Sequence, residues 1–473
     1  MRNAYSVAQI RTAEDALMRR LPPGSLMQRA AYALSVECAH LLDRVYGARV
    51  LLLVGGGNNG GDALFAGASL AARGADVRAV LLSPERTHPQ ALQALVAAGG
   101  RLASPDTTDV AAADLVVDGV VGIGGRPGLR GAAAELAAAV DDIPTIAVDI
   151  PSGVDADTGE AGADVVHADV TVTFGALKTG LVVGDGPACA GTVRVVDIGL
   201  ALPPSKLAVL EASDVGAALP IPDARADKYT RGVVGVIAGS TTYPGAGVLT
   251  VGAAACGGAG YVRYAGTAVD SIRARHPEVV VHEGVKPSEL RVQAWAIGPG
   301  IGTDDSAREL VGDVLATELP VVVDADAVTL VARNPELVRS RRAPTVLTPH
   351  DREFTRLTGD PPGADRLTAV RGSAVSLNSV VLLKGNATLV ASQNGAAWAN
   401  PTGTPWLGTA GSGDVLTGLI GSLLAAGLPA ETAASVGAYV HGVAGQLAAS
   451  AGPPTSIDVL AALRPALASI AHG

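Results

Sequence analysis

Arg49-Val-Leu-Leu-Leu-Val54 is a continuous apolar run closed by Gly55, Gly56 and Gly57. A run of this length without polar alternation is how a strand buried on both faces reads. Similar runs recur at Asp76 to Leu82, Leu115 to Asp118, Thr145 to Ile150, Val170 to Phe174 and Thr192 to Asp197. Ala-rich stretches of helical period separate several of them. Strands alternating with helices predict a parallel α/β sheet with crossover helices. Upstream, Ser6 is placed to cap a first helix that carries Glu14 and Asp15 and ends before Pro22. A second helix is expected from Ser25 to Tyr46.

Residues 199–225 break the pattern, because Pro203, Pro204, Pro220 and Pro222 prevent long regular structure. They read as a linker, part of which can form an edge strand of a second domain. A new α/β series opens at Gly232 to Gly239 and continues at Trp295 to Gly298, Val321 to Asp324, Val346 to Thr348 and Val380 to Lys384. Thr388 to Ala391 and Ala396 to Ala399, around Asn394-Gly395, predict a hairpin through a type I′ turn. The expectation is two α/β domains, residues 1–207 and 208–473.

Apolar residues make up 48% of the 473-residue chain and charged residues 17%, so it can bury large cores. Aromatics are 3%, so Ala, Val and Leu must fill those cores. The net charge of −10 speaks against general binding to nucleic acid or an anionic membrane, which need basic surface. Cys38, Cys189 and Cys256 lie far apart, without CxxC spacing, and read as buried thiols of a reducing compartment. Met1 to Gln9 is polar and lacks the apolar core of a signal peptide, so a cytoplasmic protein is expected. The apolar run Val415 to Leu428 is too short to span a bilayer and reads as a buried helix.

Two glycine-rich segments carry the functional signal. Gly55-Gly-Gly-Asn-Asn-Gly-Gly-Asp62 follows a strand and opens a helix expected from Ala63 to Arg73. Glycines allow close backbone approach, and a helix start offers free N–H groups to an anion. Two more strand ends are expected beside it. One is Asp118, leading into Gly122-Ile-Gly-Gly-Arg-Pro-Gly128; the other is Asp149, leading into Ile150-Pro-Ser-Gly153. Asn59, Asp118 and Ser152 offer hard oxygen ligands suited to a Group 1 or Group 2 cation. Asp149 is a candidate general acid/base or a cap of the following turn. Lys178 reads as a phosphate contact or as a solvated lysine.

The second segment is Gly408-Thr-Ala-Gly-Ser-Gly-Asp414, leading straight into an apolar helix. Gly411, Ser412 and Gly413 place N–H groups at a helix start, with Asp414 in the first turn where a substrate hydroxyl can lie. A base beside an anion hole is the minimum apparatus for phosphoryl transfer. No GxxxxGK[ST] motif occurs, so this is not a P-loop enzyme.

The GGGNNGGD run, the loop from Asp118 to Gly128 and the DIPSG segment at 149–153 resemble the NAD(P)HX epimerase domain of the YjeF N-terminal type. The resemblance implies a Rossmann-like three-layer αβα domain. It implies that Asn58, Asn59, Gly60, Gly61 and Asp62 contact the hydrated dinucleotide. Gly122, Ile123, Gly124, Gly125, Arg126, Pro127 and Gly128 would do so too, together with Asp149. It also implies a potassium ion held by Asn59, Asp118 and Ser152. Ala63 departs from the glycine usual there, and a methyl at that point would narrow the site.

The C-terminal half resembles the NAD(P)HX dehydratase branch of the ribokinase-like superfamily. The matching pieces run in order from Gly239-Ser240 and Tyr243 to Ala246, through Gly298 to Gly302, Asp324 to Asp326, Thr348 to His350 with Glu353, and Lys384-Gly385, to Gly411 to Asp414. The resemblance implies a ribokinase-like αβα domain. Ala246, Gly302, His350 and Asp414 would contact the hydrated dinucleotide. Lys384, Gly385, Asn386, Ala387, Thr388 and Gly413 would contact ADP or AMP, with ADP or ATP as phosphoryl donor and magnesium on its phosphates. Asp351-Arg352 replaces the Pro-Gly usual between His and Glu, which bears on the role of His350. The implied activity is bifunctional. The N-terminal domain converts R- to S-NADHX or NADPHX; the C-terminal domain dehydrates the S form with release of AMP and phosphate, Asp149 and Asp414 being catalytic. A homo-oligomer, tetramer or higher, is implied as well. A ribokinase-like small-molecule kinase with a fused dinucleotide domain is the alternative, and a nucleotide-sensing protein without turnover a third reading.

Overall fold

The computed structural model describes residues 1–104 and 110–472. The chain divides into two compact units, Asn3–Leu207 and Ala208–Gly473, the latter including Met1–Arg2.

The N-terminal unit is built on seven parallel strands. Their order is Arg101–Leu102, Asp76–Leu81, Arg49–Val54, Leu115–Gly119, Thr145–Val148, Val170–Phe174 and Thr192–Val196. Successive crossovers run one way from Arg49–Val54 and the other way from Leu115–Gly119. Those neighbours therefore frame a topological switch point, where open α/β sheets bind ligands. The continuous apolar runs are explained by cover on both faces. Val50, Leu52 and Val54 pack with Leu34, Leu64 and Leu70; Leu51, Leu53 and Val116 pack with Leu136 and Val140 on the other face. Each such Leu or Val contributes about 1.5–3 kcal/mol on burial.

Three boundaries differ from expectation. The second helix is Ser25–Leu41 and stops because Leu42 turns to extended backbone, φ −87° and ψ 130°. The glycine-rich segment is helical from Asn58, the helix being Asn58–Ala72, because Gly57 at φ +96° makes the turn ahead of it. The strand Thr145–Val148 stops one residue before Asp149, whose φ of +68° ends extended backbone.

In the C-terminal unit the parallel strands run in the order Val280–Val281, Tyr261–Tyr264, Val233–Ile237, Ala294–Ile297, Val321–Val323, Thr345–Leu347 and Val380–Leu383. The antiparallel hairpin Thr388–Ala391 and Ala397–Asn400 follows. Its turn is not type I′. Asn394 is absent from the positive-φ residues and Gly395 is at φ +80°. With Ser392 N–H bonded to the Ala396 carbonyl, this is a three-residue loop with Gly395 in the left-handed position. Residues 199–225 are not a bare linker. Between the proline pairs lie the strand Leu207–Val209 and the helix Ala212–Ala218, the latter started by a capping box of Glu211 and Asp214.

The helix Ser412–Ala425 is buried along nearly its whole length. Small residues let it approach its neighbours. A Cβ at Gly421 would come within 2.8 Å of Ala296 Cβ, and one at Gly418 within 2.9 Å of Ala253 Cβ. No described helix is long and apolar enough to cross a membrane. Cys38 and Cys189 are buried and Cys256 is half-buried, all as free thiols.

Candidate active sites

At the N-terminal switch point the strand ends bring the predicted residues together. Asp118 lies in register with Leu53 on one side and Ala147 on the other, fully buried. Its Oδ1 accepts from Ser152 Oγ at 2.6 Å and from Val120 N at 3.2 Å, and its Oδ2 accepts from Ser152 N at 2.8 Å. Burial pushes its carboxyl up to about 6 against these donors. Asn59 joins from the helix start, where a Cβ on Gly122 would lie 2.8 Å from Asn59 Oδ1. The Asn59 Nδ2 donor is buried without a partner. Ser152 Oγ also faces the Val121 carbonyl at 3.2 Å. The set is all oxygen around a buried acid held by neutral donors.

Asp149 is also buried. Lys178 is not solvated and is not free to meet a phosphate: its side chain is 1% exposed and its Nζ lies 2.5 Å from Asp149 Oδ1. Phe174 N and Thr173 Oγ1 donate to the same oxygen at 3.2 and 3.3 Å. All of these bonds fall on Oδ1 and none of them on Oδ2. The first helix, Val7–Met18, adds Glu14, which sequence reasoning placed on a helix but not in a site. Burial raises its carboxyl; the Lys178 charge opposes that rise and the Asp149 charge adds to it. Asp62 is buried with its Oδ1 unpartnered. Burial, then the charges of Asp149 and Glu14, hold it well above the usual carboxylate range.

The loop of Gly122 to Gly128 closes on itself through Gly125 N to Gly122 O at 2.9 Å, and Gly128 N bonds Gly153 O at 2.9 Å. That second bond ties it to the DIPSG turn. Ile123 and Pro127 are half-buried there; Gly124 and Arg126 are exposed. Ala63 does not narrow the site. It is fully buried, and its methyl packs where Gly119 leaves room.

In the C-terminal unit Gly411, at φ +88°, precedes the helix Ser412–Ala425 and puts Asp414 in its first turn. Four charged groups act on Asp414. Burial raises its carboxyl to about 7; Asp324, Asp326 and Glu353 add to the rise and Lys384 opposes it. Lys384 Nζ lies 2.7 Å from Asp324 Oδ1 and 3.8 Å from Glu353 Oε2. Burial alone would pull the ammonium down, but these carboxylates more than offset it and leave it raised. A Cβ on Gly413 would be 3.4 Å from that ammonium, so glycine keeps the helix start open to it. His441 is buried with Nε2 2.9 Å from the Ser412 carbonyl. Burial pushes its ring down to about 4, so it stays neutral and anchors the helix start.

Gly302 N donates to Asp326 Oδ2 at 2.9 Å. Ala246 flanks Gly300, where a Cβ would come within 2.9 Å of the Ala246 methyl. His350 caps a helix. Its Nδ1 accepts from Arg352 N at 3.1 Å and Glu353 N at 3.2 Å, while Glu353 Oε2 accepts from His350 N at 2.9 Å. Asp351 pairs with Arg366 at 2.7 and 3.0 Å. In the turn of Lys384 to Thr388, Thr388 Oγ1 bonds Gly385 O at 3.0 Å. Ala387 is buried, while Gly385 and Asn386 are more open. Only Lys384 turns to the Asp414 cluster.

The family model described as YjeF-related protein N-terminus matches residues 23–180, and the model for NAD(P)H-hydrate dehydratase matches residues 234–461. The bifunctional NAD(P)H-hydrate repair enzyme Nnr of Mycobacterium leprae is 50% identical, with 99% of this chain and 100% of that protein covered. This chain belongs to the bifunctional NAD(P)H-hydrate repair enzyme family. The Nnr of Corynebacterium glutamicum is 36% identical over 90% of this chain and 87% of its own. Among solved structures, the ADP/ATP-dependent NAD(P)H-hydrate dehydratase from Bacillus subtilis, co-crystallised with ATP/Mg2+, is 29% identical with a TM-score of 0.51. It covers 56% of this chain and 98% of its own. A ribokinase-like superfamily protein from Enterococcus faecalis is 25% identical with a TM-score of 0.53, covering 58% and 99%. Membership in the repair family favours hydrate repair over a small-molecule kinase.

Proposed function

We propose that the N-terminal unit interconverts R- and S-NAD(P)HX, and that the C-terminal unit dehydrates the S form with ADP or ATP as phosphoryl donor. The observation that carries the reading is Asp414. A carboxyl raised to about 7 at a helix start, beside Lys384, is poised to take a proton near neutrality.

Asp414 accepts the proton of the C6 hydroxyl as the donor's terminal phosphoryl passes to that oxygen. The donor P–O bond breaks, releasing AMP from ADP. The C6–O bond then breaks with phosphate as leaving group, the C5 proton is lost, and the C5–C6 double bond of the dihydronicotinamide returns. Lys384 meets the growing charge on the donor. Ala246, Gly302 and His350 line the dinucleotide side of the site, and Gly385 to Thr388 with Gly413 line the nucleotide side. Among the described residues no three His, Cys, Asp or Glu side chains gather as metal ligands. Magnesium would accompany the donor phosphates, whose charge it would neutralise.

Potassium fits the N-terminal oxygen set. Asn59, Asp118 and Ser152 would hold it, and the buried acid supplies a charge that a cation complements. When bound it would add fixed positive charge beside the substrate loop. Asn58 to Asp62, the loop of Gly122 to Gly128, and Asp149 would hold the dinucleotide. A cytoplasmic homo-oligomer, tetramer or higher, completes the reading; three free thiols suit a reducing compartment, and light scattering tests the assembly.

The test uses mixed R- and S-NADHX with magnesium, potassium and either ADP or ATP. Full return of dihydronicotinamide absorbance supports both activities. Asp149→Ala should leave R unconsumed while S disappears. No recovery with either nucleotide, from folded protein, would overturn the dehydratase reading.

A further inference from the structure

Epimerisation at C6 inverts a carbon that carries both the ring nitrogen and a hydroxyl. Such a carbon can lose its hydroxyl as water if a proton is delivered to the oxygen. Two of the site's buried carboxyl groups stand in opposite circumstances. Asp149 Oδ1 receives Lys178 at 2.5 Å, the Phe174 amide and the Thr173 hydroxyl, and Oδ2 carries none of these bonds. Asp62, on the helix Asn58–Ala72, is 8% exposed, and its side-chain Oδ1 is buried without a hydrogen-bond partner. A buried carboxyl with no donor around it is held at least cost as the neutral acid. Its O–H is then available to a ligand.

We infer that Asp62 is the proton donor of the epimerase site, paired with Asp149 as the base. The inference rests on the epimerase reading above and gives that site its second catalytic residue. The Asp62 O–H passes its proton to the C6 hydroxyl, the C6–O bond breaks, and water leaves. The nitrogen lone pair forms the C6–N1 iminium, whose charge faces two carboxylates. A water then adds to the opposite face of C6, and Asp149 Oδ2 accepts its proton. Exchange with solvent returns the proton to Asp62. Overall one water leaves, one adds, and nothing is oxidised or reduced. The charged groups facing Asp62 are Asp149 from its strand end and Glu14 from the first helix, and both oppose its ionisation. Glu14 lies outside residues 23–180 matched by the N-terminal family model.

The experiment follows R-NADHX converting to S-NADHX in the full chain, without nucleotide, in water enriched in oxygen-18. Wild type should incorporate solvent oxygen at C6 as it epimerises. Asp62→Asn should lower kcat about 100-fold or more with KM within about threefold, and slow oxygen incorporation in step. Asp62→Glu should recover part of kcat, and a thermal melt confirms that each variant is folded. In wild type the rate should fall on the alkaline side as Asp62 ionises, and Asp62→Asn should lose that limb. Unchanged kcat with raised KM in Asp62→Asn would reduce Asp62 to a substrate contact and overturn the inference alone. So would inversion with the original oxygen retained. A wild-type protein that does not epimerise would overturn the epimerase reading itself.

Discussion

Asp324 holds Lys384 with one carboxylate oxygen, at 2.7 Å, and accepts the Thr417 hydroxyl on the other, at 2.6 Å. The pair supplies the two largest charges acting on Asp414. Asp324→Asn removes the largest of the negative neighbours acting on that base. The pKa governing the dehydratase rate should therefore move below about 7, while kcat falls as Lys384 loses its orienting partner. A pH–rate profile of S-NADHX consumption checks both.

Asp414→Asn should cost dehydration about 100- to 10,000-fold in kcat and leave epimerisation intact. It should also stabilise the C-terminal unit at pH 8. Between 3.8 and about 7 the folded carboxyl keeps a proton that the unfolded one has lost, so stability falls as pH rises across that window. At 1.36 kcal/mol per unit the total is on the order of 4 kcal/mol. Thermal melts should separate variant from wild type at pH 8 and converge near pH 4.

Lys178→Met leaves the buried Asp149 without its cation. Breaking such a pair costs about 3–5 kcal/mol, and epimerisation should fall with it. Urea unfolding of single and double variants at 149 and 178 should show losses well short of additive.

Ser152→Ala removes the hydroxyl bridging Asp118 and the Val121 carbonyl. More KCl should then be needed for half-maximal epimerisation at constant ionic strength. A KCl titration against choline chloride reads this, and an unchanged midpoint would remove Ser152 from the cation site.

His350→Ala should lower stability by about 1 kcal/mol, the usual value of a helix cap. It should raise the dehydratase KM severalfold with little change in kcat. Steady-state kinetics on S-NADHX distinguishes this from loss of a catalytic histidine.

The alternation of strands and helices was legible because burial on both sheet faces leaves a local mark, as in Arg49–Val54. Asp118, Asp149, Asn59 and Ser152 were legible because each stands at or just after a strand end. The early start of the helix at Asn58 was hidden: Asn and Gly are poor helix formers, and what explains the glycines is close contact, Gly60 against Val54 and the Gly55 carbonyl, Gly61 against Met27 and His88. The Lys178–Asp149 pair joins neighbouring strand regions, and one lysine after an apolar run does not say which acid it will meet. Glu14 was invisible as a site residue, since its helix position says nothing of what it packs against. Asn394-Gly395 suggested the commonest tight turn, and one further residue in the loop changed it.

A glycine-rich segment that meets a nucleotide is commonly pictured as a flap. Here it has little to flap. Side chains at Gly55 and Gly60 would collide with the carbonyls of Val120 and Gly55, and a Cβ at Gly56 would stand 2.8 Å from Arg86. The amides of Gly60 to Asp62 should therefore exchange with deuterium as slowly as those of the interior. Substrate should enter in a single kinetic phase, without waiting for that segment to close.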